Sequence, residues 1–261
     1  MTKYLLPIIK AVTPIKYMGS KSRIAKYIVP IIQKYIDETN CKYYLEPFVG
    51  GANVIDKIKC ETKIGTDKNK YLIALLQRAQ SGEPLYDVVP RELYVEARTA
   101  FNNGDNTKFA DWEMGNIGFL ASFNGRWFDG GYAKSGYTAN GIFRDYYREA
   151  KDNLLTQAPN LRDITFSCKD YTYYNEVNLK DFVIYIDPPY QGTKQYANAT
   201  KFNYDEFWQT MRKWSKNNIV LISEESAPDD FECIWEQEIS RTIKPNGKGK
   251  STEKLFKYKG E

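Results

Sequence analysis

The chain contains no histidine. That removes the commonest general base near neutral pH and the commonest neutral metal ligand. Cysteine is scarce: Cys41, Cys60, Cys168 and Cys233 stand alone, with no pair at Cys-x-x-Cys spacing. A zinc site or a disulfide framework is disfavoured, and the thiols are expected to be reduced, as in the cytoplasm. No metal is expected. Long apolar runs are also missing. The stretch from Tyr4 to Ile9 lies between Lys3 and Lys10 and is broken by Pro7. It is too short for a signal peptide or a membrane span, which predicts a soluble cytoplasmic protein with no membrane partner. Charge of one sign is not in excess either. Lys and Arg number 37 against 33 Asp and Glu, a net charge of +4, a weak pull toward anionic partners and far from a histone-like polycation. The three-glycine dinucleotide pattern is absent, which argues against NAD.

Aromatic residues, by contrast, are plentiful: 15% of the chain, with 21 Tyr among them. They suit packing, base stacking, or both. With 261 residues, 42% of them apolar, the chain can form one large domain or a core domain with a smaller one inserted.

Periodicity organises it further. Ile24, Ile28, Ile31, Ile32 and Tyr35 recur at helical spacing, predicting a helix over 20–35 that Ser20 caps and Pro30 bends or divides. Strands are predicted at 42–45 and 63–66, with a short helix at about 52–58 between them and another at 70–80. This alternation predicts a parallel α/β sheet. Residues 81–142 change character, with helical patches and a polar, glycine-rich stretch at 123–141, and read as an inserted domain ending in a hairpin or loop. Alternation then resumes: a helix at 144–157, buried strands at 164–168 and 182–186, a helix at 204–216, and strands at 219–222, 234–239 and 254–258. The catalytic core is therefore expected in 1–80 and 143–261.

Asp187-Pro188-Pro189-Tyr190 follows the five-residue strand 182–186. In open parallel sheets, ligands bind beyond the carboxyl ends of strands. Two prolines stiffen the turn and remove two donors. As a bare tetrapeptide this is equally a strand exit; its position favours chemistry. An exocyclic amine such as adenine N6 is a poor nucleophile, because its lone pair is delocalised. The Asp187 carboxylate and the Pro188 carbonyl can each accept one of its N–H bonds, favouring a pyramidal nitrogen. Tyr190 can stack on a base that has left the duplex.

Glu46-Pro47-Phe48-Val49-Gly50-Gly51 ends the first strand, and its glycines permit close backbone approach to a ligand. Asp67 ends the next strand, 16 residues after Gly51, and suits ribose hydroxyls. Lys16-Tyr17-Met18-Gly19-Ser20-Lys21, with Arg23 and Lys26, gathers four basic residues and no acid, which is a solvated helix start or an anion site.

In this order, these segments and Thr66-Asp67-Lys68-Asn69 resemble the Dam-type DNA adenine-N6 methyltransferases, the group whose cofactor motifs precede the target-recognition region. The resemblance implies a Rossmann-like methyltransferase sheet with helices on both faces and an inserted, mainly helical target-recognition domain at 81–142. It implies S-adenosylmethionine as cofactor and double-stranded DNA as partner, with a monomer favoured and base flipping within restriction-modification or related methylation. By the same resemblance, Tyr17 and Lys21 line the methionine end of the cofactor, with Lys21 also at the DNA side. Glu46, Pro47, Phe48, Gly50 and Gly51 form the cofactor loop, and Asp67 binds ribose. Phe166-Ser167-Cys168-Lys169-Asp170-Tyr171 lies beside the cofactor adenine, with Asp170 on its amine. Asp187 borders cofactor and base alike.

Phe123-Asn124-Gly125-Arg126 and the glycine-rich stretch after it resemble the recognition hairpin, making Asn124, Arg126, Lys134 and Asn140 candidate DNA contacts; phosphate contact or plain solvation is equally open for each. The stretch 241–261 carries seven Lys or Arg against two Glu, and Lys248 and Lys250 there are expected at phosphates. The chain departs from the family in three places. Glu46 replaces Asp, Ala52 replaces a third glycine, and Ile222-Ser223-Glu224-Glu225-Ser226 is more acidic than the usual Ser-Asn-Ser type segment. Cytosine-N4 methylation, an inactive DNA-binding relative and a NAD-type oxidoreductase stand as alternatives.

Overall fold

The computed structural model describes residues 20–190, 202–241 and 249–260. They form two compact units, one of 23–73 with the described residues from 163 onward, the other of 20–22 with 74–162. The apolar run near the N-terminus lies outside the described residues.

The larger unit is built on a seven-stranded sheet. Its strands, in chain order, are β1 (Tyr43–Glu46), β2 (Thr62–Asp67), β5 (Ile164–Cys168), β6 (Phe182–Ile186), β7 (Ile219–Glu224), β8 (Phe231–Arg241) and β9 (Gly249–Tyr258), with β3 (Gly136–Tyr137) and β4 (Phe143–Arg144) lying in the other unit. The spatial order is β5-β2-β1-β6-β7-β9-β8. The strands from β5 to β7 are parallel, and β9 runs antiparallel to both β7 and β8. From β1 the chain moves outward to β2 and β5, then returns to β6 and moves the other way. Since such crossovers are right-handed, the connections fall on opposite faces, and the β1–β6 boundary is a topological switch point.

Alternation along the strands sorts side chains to the two faces. Leu45, Ile184, Ile186, Val220 and Ile222 join Phe207, Met211 and Trp214 in one buried cluster. The last three belong to α6 (Tyr204–Ser215), whose cap is Asn203, accepting from the Glu206 N–H. The other face carries Tyr44, Glu46, Tyr185 and Ser223, all buried. It is therefore the polar face of the sheet near its carboxyl edge. Helix α1 (Ala25–Thr39) packs against β6 through a stripe that includes Ile28, Ile32 and Ile36.

Several local expectations change. Ser20 does not cap α1; its hydroxyl accepts from Ser22 N–H in a preceding 3-10 turn, Lys21–Arg23, and α1 starts after an uncapped Ile24. Pro30 does not divide α1, which runs through it. Pro30 and Lys26 are exposed, so water can serve the Lys26 carbonyl that loses its intrahelical donor. The helix expected at 52–58 shrinks to a 3-10 turn, Ile55–Lys57, because Gly50 and Ala52 take left-handed φ values of 49° and 55°. Gly65 is required by close packing: a Cβ there would sit 2.8 Å from Val49 Cγ2 and 3.0 Å from Phe166 Cε1.

The second unit contains α3 (Arg91–Asn102), α4 (Asp111–Gly115), a π turn Asn116–Leu120, the β3–β4 hairpin, and α5 (Tyr146–Gln157). Asp145 caps α5 by accepting from Arg148 N–H. The helix thus starts after Arg144, which pairs with Gly136 in the hairpin. Aromatic rings fill this core: Trp127 lies 4.5 Å from Phe119 and 5.2 Å from Phe101 between centroids. The unit reaches from 74 to 162, because α5 packs against the π turn. Helix α2 (Lys70–Ser81) carries the chain from one unit into the other.

Candidate active site

The carboxyl ends of β1, β2 and β6 bring together most of the chemically reactive residues singled out in the sequence. At the end of β1, Glu46 is 2% exposed, and Tyr44, two residues earlier on the same strand face, donates its hydroxyl to Glu46 Oε1 at 2.6 Å. Burial holds the Glu46 carboxyl well above the usual range, and the Asp56 and Asp187 carboxylates push it further; only the Tyr44 bond and Lys57 act the other way. Glu46 and Asp187 thus leave the adjacent ends of β1 and β6, one on each side of the switch point.

Asp67, at the end of β2, is treated differently. Its Oδ2 accepts from Gly50 N–H at 3.2 Å and its Oδ1 from Asn69 N–H at 2.9 Å. Burial raises its pKa, while these two backbone donors oppose the rise. The loop is pinned to the strand as well: Val49 N–H donates to Thr66 O at 2.8 Å, and Lys169 N–H to Asp67 O at 3.0 Å. Asp170 caps a 3-10 turn, Tyr171–Asn175, its Oδ1 accepting from Thr172 N–H and Oγ1–H at 3.0 and 2.8 Å. Tyr171 is buried with its ring stacked on Phe48 at 5.2 Å, and burial pushes its hydroxyl up to about 12.

The strip after β6 is held at several points. Tyr204, the first residue of α6, donates its hydroxyl to Pro189 O at 2.6 Å. Tyr190 is 9% exposed and donates to Glu253 Oε2 on β9 at 2.6 Å. Tyr185 and Ser223 share a hydrogen bond of 2.8 Å beneath the strip. Burial and the Asp187 carboxylate raise the Tyr190 and Tyr185 hydroxyls far above the ordinary tyrosine value, so both remain protonated. Pro189 O is occupied by Tyr204, and Pro188 is buried.

Other expected residues lie elsewhere. Lys21 is 8% exposed in the 3-10 turn before α1, and clusters with the second unit. Tyr17 and Lys248 lie outside the described residues, and Lys250 is described only as a backbone partner of Ser240 in β9. Asn124, Arg126, Lys134 and Asn140 are exposed in the second unit. Asn124 and Trp127 adopt left-handed φ of 55° and 49°, a strain that functional turns commonly carry. Sequence reasoning missed Tyr44, Tyr204 and Glu253. The first had a signal, since residues two apart on a strand share a face. Glu253 had none, 63 positions from Tyr190.

Residues 17–217 match the family of D12 class N6 adenine-specific DNA methyltransferases. The chain belongs to that family. The D12 class reaction is methyl transfer to adenine N6 in DNA, with S-adenosylmethionine as donor, and the chain is an enzyme of this class. Relatives of this D12 chain include the type II methyltransferase M.MjaIII of Methanocaldococcus jannaschii, 23% identical over 83% of this chain and 85% of that one. A DNA adenine methylase of Vibrio cholerae is 26% identical over 72% of this chain and 68% of its own. Among solved structures, the rRNA methyltransferase aviRa from Streptomyces viridochromogenes overlays with a TM-score of 0.37 at 9% identity, covering 94% of this chain and 87% of that one. Among the described residues, no group of three or more Cys, Asp or Glu is placed to hold a metal ion, and no helix is long and apolar enough to cross a membrane.

Proposed function

We propose that Asp187-Pro188-Pro189-Tyr190 acts on adenine drawn out of double-stranded DNA, with the cofactor held between the ends of β1, β2 and β6. The observation that carries this reading is the pairing of β1 with β6 at the switch point, Leu45 beside Ile184, so that Glu46 and Asp187 leave adjacent strand ends; the Asp187 carboxylate accordingly adds to the rise in the Glu46 pKa. Two acids at one crevice favour a cation. S-adenosylmethionine, when bound, supplies an electrophilic methyl group on a positively charged sulfur, beside a positive ammonium group.

Each residue then has a task. Glu46 and Asp187 neutralise the positive methionine end, with Tyr17 and Lys21 beside them by family resemblance. Pro47, Gly50 and Gly51 shape the loop, and the left-handed Gly50 lets the backbone turn toward the ligand. Asp67 spends one lone pair of each oxygen on backbone donors, leaving acceptor capacity for ribose hydroxyls. Asp170, whose Oδ1 caps the turn, offers Oδ2 to the cofactor adenine amine, and the Phe48–Tyr171 stack forms an apolar wall.

Asp187 and the Pro188 carbonyl accept the two N6 hydrogens and turn the nitrogen lone pair toward the methyl group. S-adenosylmethionine would supply the methyl group and leave as the neutral thioether, and the Asp187 carboxylate would accept the proton that N6 gives up. Tyr190 stacks on the base. The second unit is the target-recognition domain, using Asn124, Arg126, Lys134 and Asn140, while Lys248 and Lys250 meet phosphates. The enzyme works as a cytoplasmic monomer.

The experiment is methyl transfer from radiolabelled S-adenosylmethionine to unmethylated plasmid DNA, followed by nucleoside analysis. Label in N6-methyladenine is expected. Label in N4-methylcytosine would overturn the base assignment.

A further inference from the structure

We infer that Glu253 is a positioning residue for methyl transfer: its carboxylate holds the Tyr190 hydroxyl and so fixes the direction of the ring that meets the target base. The inference rests on the proposed stacking role of Tyr190.

The geometry is unusual for a strand residue. Pairing of β7 with β9 reaches Glu224 opposite Lys254, so Glu253 lies one residue further along, past the carboxyl end of β7. Tyr190 leaves the end of β6 and meets Glu253 on β9. In the sheet order β9 is two strands from β6, roughly 10 Å. The tyrosine therefore bridges the end of β7. Both partners are buried, at 9% and 6% exposure, and the bond is 2.6 Å, the length of a charge-assisted O–H···O⁻ contact.

A second clamp acts at the other end of the residue. The Tyr204 hydroxyl holds Pro189 O at 2.6 Å. The backbone before Tyr190 and the far tip of its ring are thus tied to different elements, α6 and β9. Between these anchors the ring cannot swing out. Burying a carboxylate is costly, and an apolar wall would pack the same ring at less cost. What the acid adds is a fixed direction. A stacking face set within a few tenths of an ångström matters for a reaction whose rate depends on alignment of nitrogen, carbon and sulfur.

The test uses the full chain and its variants Glu253→Leu, Glu253→Gln, Tyr190→Phe, Tyr190→Ala and the double Tyr190→Phe/Glu253→Leu. For each, kcat and KM are measured on unmethylated plasmid DNA, with S-adenosylmethionine affinity by calorimetry and Tm. Glu253→Leu is expected to lower kcat about ten- to hundredfold, with cofactor affinity within about twofold of the parent. Glu253→Gln, which keeps an acceptor oxygen, restores most of that loss. Adding Glu253→Leu to Tyr190→Phe costs little more than either alone, because the shared bond is already gone. Parental kcat in Glu253→Leu, with kcat lost in Tyr190→Ala, would overturn the inference while leaving the stacking role standing. So would a parallel loss of kcat, cofactor affinity and Tm in Glu253→Leu that Glu253→Gln does not rescue. Parental kcat in Tyr190→Ala would remove the stacking role itself, and the inference with it.

Discussion

Strands β1 and β2 are neighbours in the sheet, and each ends in an acid, Glu46 and Asp67. Asp67 receives two backbone N–H groups, from Gly50 and Asn69. Glu46 receives a tyrosine hydroxyl and faces the Asp56 and Asp187 carboxylates. One strand end is built to hold an anion already paired with fixed donors. The other gathers carboxylates around a buried acid, with the Tyr44 hydroxyl and Lys57 acting against their repulsion. In a methyltransferase of the D12 class that contrast fits the two ends of one cofactor, ribose hydroxyls at Asp67, the strand end saturated with backbone donors, and a cationic methionine at Glu46 and Asp187, the carboxylate-rich ends.

The largest expected effect is at Asp187, which belongs to the carboxylate-rich ends and to the catalytic strip together. Asp187→Ala should lower kcat by at least about a hundredfold, the scale of a lost transition-state contact, while cofactor binding stays measurable by calorimetry. A fully active variant on DNA would show that the strip works without its carboxylate.

Asp67→Asn tests the saturated end. The amide can keep one acceptor, but its NH₂ must then face a backbone N–H, so one buried donor loses its partner. The expected cost is about 1–3 kcal/mol of stability, read as a lower midpoint in urea, together with weaker cofactor binding. Unchanged stability and affinity would mean that the two amides do not hold the acid as drawn.

Glu46→Gln should act with the opposite sign on stability. The folded pKa of Glu46 is raised by burial first and by its acidic neighbours next, so the folded state binds this proton more tightly than the unfolded chain. Stability is therefore full below the ordinary glutamate range and declines as pH rises from there toward the raised folded value. Gln keeps the acceptor for Tyr44 and has no proton to lose, so its Tm should exceed that of the parent at neutral pH and converge with it in acid. Cofactor affinity should fall about tenfold at neutral pH, or about 1.4 kcal/mol. In the parent that affinity should rise with pH as Glu46 ionises, and in the variant this component should vanish. A Glu46→Gln protein less stable than the parent at neutral pH would remove the carboxylate-rich end from the comparison.

The same contrast explains what could be read from the chain and what could not. The strands 182–186 and 219–222 were legible because buried parallel strands are runs of apolar, β-branched residues, and an acid after such a run marks a strand end; 164–168 was legible as a strand but is not a buried one, since it forms the edge of the sheet with Thr165 and Cys168 exposed. Asp187-Pro188-Pro189-Tyr190 was legible for that reason too. The partners that hold the strip were not. Tyr204 and Glu253 are distant in the chain, and nothing local to either tells which backbone or ring it will meet. The turn after β1 was misread as a helix because apolar spacing cannot reveal left-handed φ at a non-glycine residue. Gly65 resembled any strand glycine until Val49 and Phe166 were found against it.

That left-handed alanine gives the smallest and sharpest test. Ala52 is fully buried at φ 55°, and its N–H donates to Val49 O at 2.9 Å, closing the turn that places Gly50 beside Asp67. A left-handed conformation costs an alanine about 1–2 kcal/mol. Glycine removes that strain but gives up a buried methyl worth about 0.8 kcal/mol, and ordering its freer backbone costs roughly 0.5–1 kcal/mol. The opposing contributions nearly cancel, so Ala52→Gly should shift stability by less than about 1 kcal/mol, a Tm change of about 2–4 °C at most for a chain of this size. Cofactor affinity should be unchanged, because the turn geometry that orients the Gly50 N–H is the one glycine adopts freely. A weaker cofactor affinity with unaltered Tm would mean that the methyl group itself shapes the loop. The saturated strand end would then depend on side-chain packing as much as on its backbone donors.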